Sequence, residues 1–336
     1  VQAARWREAS FAETRNAARG ALLPKLELRM ARGRGHLGSN DPPLTLARAD
    51  NSAVFSQAVF DEPAREEWNR QSLLAASAEA QRAGAESTAL LDGGSAYLSA
   101  LQARVTLALG ADYEQLLQEL LRYISERAAA GGTSPAERER VSARVANVRS
   151  TLADAKASLA AALRNLQRLT GTTPSALVLE RVAVLPLPGD ADDAREQARS
   201  ANLDILSARI EQEAADAERR GHRGRFLPRV GVEISQTRSA NASGTEAYMR
   251  DTKAMAVITL PLLNGGSDLA QMRAAEAHRN ELQARLEGTE RKIVQDIETA
   301  YANLRASGER FTSVKEELEG NRKVVEAFRE IGRAHV

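Results

Sequence analysis

A stretch near the start of the chain returns about two hundred residues later, and its surroundings return with it. Leu22-Leu23-Pro24-Lys25-Leu26 is echoed by Phe226-Leu227-Pro228-Arg229-Val230, so the prolines at 24 and 228 lie 204 residues apart. Gly20 and Gly224 keep that offset, as do Ala96-Tyr97 and Ala300-Tyr301, while Val59-Phe60-Asp61 matches Leu262-Leu263-Asn264 at an offset of 203. Ordered landmarks at nearly constant spacing mark one structural unit written twice. Residues 1–189 are read as the first repeat and 190–330 as an incomplete second one.

Within the first repeat, residues 1–19 end a helix, which Gly20 and Pro24 stop. Leu26, Leu28 and Met30 then alternate with Glu27, Arg29 and Ala31, the period of a strand with one apolar face, expected over about 24–32. A loop rich in Gly, Asn and Pro is expected from Gly33 to Pro43, and a second strand over about 52–60. From Pro63, which suits a first helical turn, the period becomes helical. Leu98, Leu101, Val105, Leu109, Tyr113, Leu116, Leu120 and Tyr123 form the stripe of a helix over 64–130, about 100 Å long at its rise per residue. Gly93-Gly94 costs it on the order of 2 kcal/mol against two alanines and is read as a local bend. Gly131-Gly132-Thr133-Ser134-Pro135 forms a tight turn, with Ser134 or Thr133 placed to cap a return helix over 135–169 and Pro135 at its first position. Val141, Val145, Val148, Leu152, Leu159, Leu163 and Leu166 give that helix a coiled-coil stripe before Leu169-Thr170-Gly171 ends it. An irregular break over 170–189 carries Pro174, Pro186 and Pro188.

The second repeat is read as a helix over 190–222, strands over about 226–237 and 252–263, and a long helix over 266–330. Val230, Val232 and Ile234 alternate with Gly231, Glu233 and Ser235, and the last strand ends in Pro261-Leu262-Leu263-Asn264-Gly265-Gly266. The stripe of the long helix includes Ile293, Ile297, Tyr301, Leu304, Phe311, Val314 and Leu318. Both ends read as incomplete. Residues 331–336, Ile-Gly-Arg-Ala-His-Val, resemble the translation of a sequencing-library adapter and are expected to be non-native; a natural helix end at Gly332 is the other reading.

Composition removes several classes of function. Aromatics are only 4% of the chain, a bias that belongs to long helices rather than compact cores. Lys plus Arg is 46 against 45 for Asp plus Glu, which gives no basic face for nucleic acid. Without cysteine there is no disulfide frame and no thiolate site. Gly33-Arg34-Gly35-His36-Leu37-Gly38 fits a dinucleotide fingerprint, but Ser39-Asn40-Asp41-Pro42-Pro43 does not open the helix that fingerprint needs. His36, His222, His278 and His335 show no metal spacing, so no catalytic, cofactor or metal residue is assigned. Asn241-Ala242-Ser243 fits a glycosylation sequon, for which a polar loop is sufficient explanation. No apolar run approaches the roughly 20 residues of a membrane-spanning helix, so any span must be made of strands.

Four half-apolar strands are too few to close a barrel, and an open edge is not tolerated in a membrane. Three chains supply twelve strands, enough to enclose a channel. The expected class is therefore an α+β membrane protein. Long antiparallel α-helical hairpins form a ring of coiled coils, four strands per chain contribute to a trimeric 12-stranded β-barrel, and polar strand faces line the lumen.

This arrangement resembles the TolC-like outer-membrane factor family, over about residues 1–330. The residues that carry the resemblance are Pro24 and Pro228 before the outward strands, Pro261, Gly265 and Gly266 after the last strand, Tyr97 and Tyr301 in the long helices, and Gly171 after the return helix. The resemblance implies a homotrimer in the outer membrane of a Gram-negative cell, reaching into the periplasm. It also implies a tip, here Gly131, Gly132, Thr133, Ser134 and Pro135, that contacts a periplasmic adaptor and an inner-membrane transporter. It implies an export duct, not an enzyme, with no cofactor. Residues 321–330 look most like members serving type I secretion, with drug or metal efflux as the alternative. A soluble periplasmic coiled-coil scaffold or adaptor is the rival from another class. Ala58 and Glu62-Pro63 replace the proline and paired glycines found at 261 and 265–266, so the first strand–helix junction is expected to differ from the second.

Overall fold

A computed structural model describes residues 1–37, 44–174, 176–178, 187–241 and 247–334. The chain divides into two compact units, Gly84–Leu187 (with Val1) and Gln2–Ala83 together with Pro188–Val336.

The larger unit holds helix α1 (Gln2–Gly20), strands β1 (Lys25–Leu37) and β2 (Leu44–Phe60), and the start of helix α2 (Glu62–Ala129). It continues with α4 (Ala191–Ala201), α5 (Leu203–Gly224), β3 (Arg229–Ala240), β4 (Tyr248–Thr259) and α6 (Ser267–Ala334). The strands form one antiparallel sheet in the order β1-β2-β3-β4. β1 and β2 are longer than the periodicity suggests; β3 and β4 keep the expected twelve residues but are displaced, β3 starting at Arg229 rather than 226 and β4 ending at Thr259 rather than 263. Gly33–Leu37, a loop by composition, is strand laddered against Leu44–Arg48, and Arg238–Ala240 pairs with Tyr248–Arg250. Ladder hydrogen bonds hold these Gly-, Arg- and Ser-rich stretches where side-chain propensity alone does not. Gly38, the last residue of the fingerprint, lies outside the described residues. Its first five residues are strand, so the nucleotide-loop geometry is absent there.

The expected helix over 190–222 is two helices. Asn202 ends α4 in an extended conformation, and its side chain accepts from Asp204 N at 2.9 Å and Ile205 N at 3.1 Å, capping α5. An Asn side chain competes for backbone amides, which is why it opens helices more readily than it continues them. Asp190 caps α4 in the same way, accepting from Asp192 N and Asp193 N. Small residues allow close approach of α5 to its neighbours: Ala214, Ala215 and Ala217 are buried. A Cβ on Gly224 would lie 2.9 Å from Glu62 Cγ and 3.2 Å from Pro63 Cδ, so α5 ends directly against the start of α2. Beside that contact the buried Glu66 carboxylate accepts from Arg220 Nε at 3.0 Å. Further along, Glu211 accepts from Ser77 Oγ at 3.1 Å and Gln81 Nε2 at 2.7 Å.

In the smaller unit α2 runs through Gly93-Gly94 without interruption and pairs with α3 (Pro135–Thr170). The α3 stripe behaves as expected, with Val141, Val145, Leu152 and Leu166 buried. The α2 stripe does not. Leu98, Val105, Leu109, Tyr113, Leu116, Leu120 and Tyr123 are all exposed, and of that stripe only Leu101 is buried. The seam instead uses Ala96, Ala100, Gly110 and Leu117, with Gly110 so close to Leu152 that a Cβ would lie 2.9 Å from its Cδ2. Small residues set the interhelical distance, and hydrophobicity alone does not mark them. The break over 170–189 lies partly outside the described residues, at 175 and 179–186. Helix α6 extends past the expected end at 330 to Ala334, and His335 and Val336 lie outside the described residues.

Candidate functional site

Directly paired residues of antiparallel strands share a face of the sheet. Leu26, Phe55, Ile234 and Ala254 form one row, and Leu28, Ala53, Gln236 and Thr252 form the next. A bulge at Val59 sets Phe60 opposite Val230, keeping that aromatic ring with the apolar set. The opposite face carries rows such as Glu27, Val54, Ser235 and Lys253, then Arg29, Ser52, Thr237 and Asp251. Lys253 Nζ and Asp251 Oδ2 pair at 2.8 Å on it. The apolar face is open to its surroundings: Leu26, Leu28 and Met30 are 69%, 67% and 77% exposed. At 13, 17, 12 and 12 residues the strands exceed the 9–11 or so that span a bilayer when tilted. Within the chain β1 and β4 each have one partner, so both outer edges keep unpaired backbone donors and acceptors among the described residues.

The motif prolines precede strands in both repeats, Pro24 before β1 at Lys25 and Pro228 before β3 at Arg229, where a missing N–H costs no ladder bond. After β4, Pro261 leads to Gly265 at φ 55° and Gly266 at φ 78°, left-handed values that favour glycine. The first junction does differ: Asp61 Oδ1 accepts from Ala64 N at 3.0 Å, and α2 starts there with no glycine. The two repeat-related tyrosines each reach a backbone carbonyl, Tyr97 Oη that of Val178 at 2.8 Å and Tyr301 Oη that of Pro188 at 2.9 Å. Gly171 ends α3 at φ 74°, its N–H donating to Gln167 O at 2.8 Å.

At the tip, Gly131 takes φ 75° and Gly132 N donates to Arg127 O at 2.8 Å, the six-residue closure of a Schellman turn. Ser134 rather than Thr133 caps α3, accepting from Ala136 N at 3.2 Å, and Pro135 occupies the first turn. Tip and sheet belong to different units, and each is a separate candidate region.

Near the start of α2, burial alone would raise the Glu67 carboxyl, but hydrogen bonds from Arg70 and Gln71 outweigh it and hold the group below its usual range. Arg70 is raised in turn, chiefly by its hydrogen bond to Glu67. Neither geometry nor charge arranges a nucleophile with a base here. Among the described residues no three His, Cys, Asp or Glu side chains gather to hold a metal ion. His36 Nδ1 meets Thr45 Oγ1 at 3.0 Å, and His278 Nδ1 meets Glu218 Oε2 at 3.3 Å. Sequence reasoning missed the Glu66–Arg220 and Ser77–Glu211 contacts, which join elements well over a hundred residues apart.

Residues 194–330 match the model of the outer membrane efflux protein family. The solved structure of CusC superposes with a TM-score of 0.84, at 16% identity, over 95% of this chain and 75% of that one. The alkaline protease secretion protein AprF of Pseudomonas aeruginosa is 26% identical over 330 residues, covering 93% of this chain and 68% of AprF. The chain is thus similar to outer membrane efflux proteins in sequence over residues 194–330, and to outer-membrane channels in fold. The outer membrane protein TolC of Escherichia coli is 24% identical over 322 residues, or 90% of this chain and 64% of TolC. The chain thus spans about two thirds of the length of these curated relatives.

Proposed function

We propose that the chain is one protomer of an outer-membrane exit duct, in which three copies close a twelve-stranded barrel around a water-filled lumen. The observation that carries this reading is the two-faced, open-edged sheet. In hydrocarbon each unpaired backbone group costs several kcal/mol, so β1 of one protomer must meet β4 of the next. The exposed second stripe of α2 supports the same closure. A helix in a ring has two neighbours; α3 covers one side of α2, and Leu98 to Tyr123 await another. The accessible surface, 24050 Å², is far above the roughly 13,000 Å² of a globular monomer of this mass, which fits a chain completed by its partners.

The barrel belongs in the outer membrane and the helices in the periplasm, with the turn at Gly131–Pro135 facing a periplasmic adaptor and an inner-membrane transporter. The apolar sheet face meets lipid and the mixed-charge face lines the bore. Transport here depends on shape and lumen polarity, not on catalysis, as suits a family of channels. Type I protein secretion is supported by the likeness to AprF, named for protease secretion, and by residues 321–330. The match of residues 194–330 to the outer membrane efflux protein family equally suits efflux of small solutes or metal ions. Planar-bilayer recording on the full-length protein tests the duct: stepwise ionic conductance is expected, and a preparation that never conducts in any state contradicts it.

A further inference from the structure

The charges on the lipid-facing side of the sheet are not distributed like those on the lumen side. Along that face the described strand residues include Arg32, Arg34, Arg238 and Arg250 and no Asp or Glu at all. The opposite face mixes both signs, with Glu27 and Arg29 on one strand and the Asp251–Lys253 pair on another. All four arginines are exposed and lie at the end of the sheet away from the helices. Arg238 and Arg250 are direct partners across β3 and β4, and Tyr248 stands in the next row on the same face. Arg32 donates from Nη1 to Asn51 Oδ1 at 3.3 Å, and Asn51 is itself opposite Arg238.

Their height is set by the ladder. Arg238 is eight residues beyond Val230, and Arg250 eight before Ile258, which is Val230's partner. Eight residues span about 27 Å along a strand, or roughly 20 Å along the membrane normal at the usual barrel tilt. The rows between carry Leu28, Leu26, Phe55, Ile234 and Val232, so they fill most of an apolar band about 25 Å tall. The arginines therefore fall at its outer rim. An arginine facing hydrocarbon at mid-depth is strongly disfavoured, whereas at the rim it is tolerated and can reach head groups.

We propose that Arg32, Arg34, Arg238 and Arg250 form a belt that binds the phosphate groups of the outer leaflet's phosphorylated glycolipid. The inference rests on the duct reading, which fixes the face that meets lipid. Guanidinium forks match phosphate oxygens two at a time, and with no carboxylate among the described strand residues of that face these forks are left for an external anion. Arg238 and Arg250, side by side on neighbouring strands, suit one phosphate. Three protomers would repeat the belt around the barrel and fix its depth in the membrane.

The test uses the full-length protein, purified as its native oligomer and stripped of lipid. Binding of bis-phosphorylated lipid A is compared with that of the same lipid freed of both phosphates, and with inorganic phosphate. R238Q/R250Q should weaken binding of the phosphorylated lipid roughly thirty-fold, from about tenfold or less per arginine. R238K/R250K should keep most of the affinity, and R29Q, on the lumen face, should stay within about twofold of wild type. Wild-type affinity in R238Q/R250Q, equal binding of the phosphate-free lipid, or inorganic phosphate binding as tightly as the lipid overturns the belt. Conductance of the same preparation separates the two readings. A wild type that conducts but does not prefer phosphorylated lipid loses only the belt; one that neither oligomerises nor conducts removes the duct and the belt with it.

Discussion

The Tyr97 hydroxyl is held between the two backbone groups of Val178, donating to its carbonyl at 2.8 Å and accepting from its N–H at 2.9 Å. Beside it, Arg104 Nη1 donates to Leu177 O at 2.7 Å, and Leu177 is buried against Ala96, Ala100, Leu101 and Leu166. The side chains of one helix thus replace the backbone partners that an irregular segment lacks. Y97F removes both hydrogen bonds to Val178. The Val178 amide should then exchange with solvent about tenfold faster, the equivalent of one net hydrogen bond, with little change in global melting. Y301F should leave that amide untouched. Residue-resolved hydrogen exchange reads both.

Gly224 and Gly94 should respond oppositely to alanine. At Gly224 the added methyl meets Glu62 and Pro63 at 2.9–3.2 Å, so G224A should destabilise the protein by about 1–3 kcal/mol. At Gly94 nothing lies within 4 Å and the backbone is helical, so G94A should stabilise by up to about 1 kcal/mol. Chemical denaturation of the two variants gives the signs.

Several features behind these predictions are legible in the sequence. The proline pairs, the glycine-led junction after β4, the Ser134 cap and the Gly171 stop all follow from local backbone chemistry, which a few adjacent residues determine. The faces of the strands are legible too, because a period of two leaves one choice. What escapes is set by distant partners. The strands continue through Gly33–Leu37 because Leu44–Arg48 is there to pair with them. On α2 the large residues dominate the pattern, yet Ala96, Ala100 and Gly110 make the contact with α3 because close approach needs small side chains. Asn202 reads as helix interior in the sequence, since its capping role appears only once Leu203 begins a new helix.

Glu66 is 5% exposed, and its principal cation is Arg220, at 3.0 Å; Arg65 stands at 3.5 Å. Removing Arg220 strands a buried charge. R220M should cost about 1–3 kcal/mol, less than a fully buried pair because Arg220 is partly solvated. R65M, at a largely exposed site, should cost under about 1 kcal/mol. Urea melts at neutral pH distinguish them.

The Glu67 carboxyl lies below its ordinary value in the folded chain, where Arg70 and Gln71 donate to it. A depressed folded value means the contribution is present above the unfolded value of 4.5 and is lost as pH falls through the folded one. E67Q should therefore flatten the fall in melting temperature on the acid side of 4.5 and lower stability slightly at neutral pH. Because the side chain is half solvated, the neutral-pH loss should stay under about 1 kcal/mol. Melting curves across that range test the sign.

The claim on which the rest depends is that β1 of one protomer pairs with β4 of the next. The 336 residues contain no cysteine, which allows a direct test in a cysteine-free version of the full-length protein. Lumen-face positions Glu27, Arg29 and Ala31 on β1 are scanned pairwise against Asp251, Lys253 and Met255 on β4, each pair replaced by cysteines and oxidised in outer-membrane fractions. Closure of three chains predicts that at least one register gives a covalent ladder of monomer, dimer and trimer that stops at trimer. Absence of intermolecular cross-links at every register, or ladders running past three, would contradict the barrel.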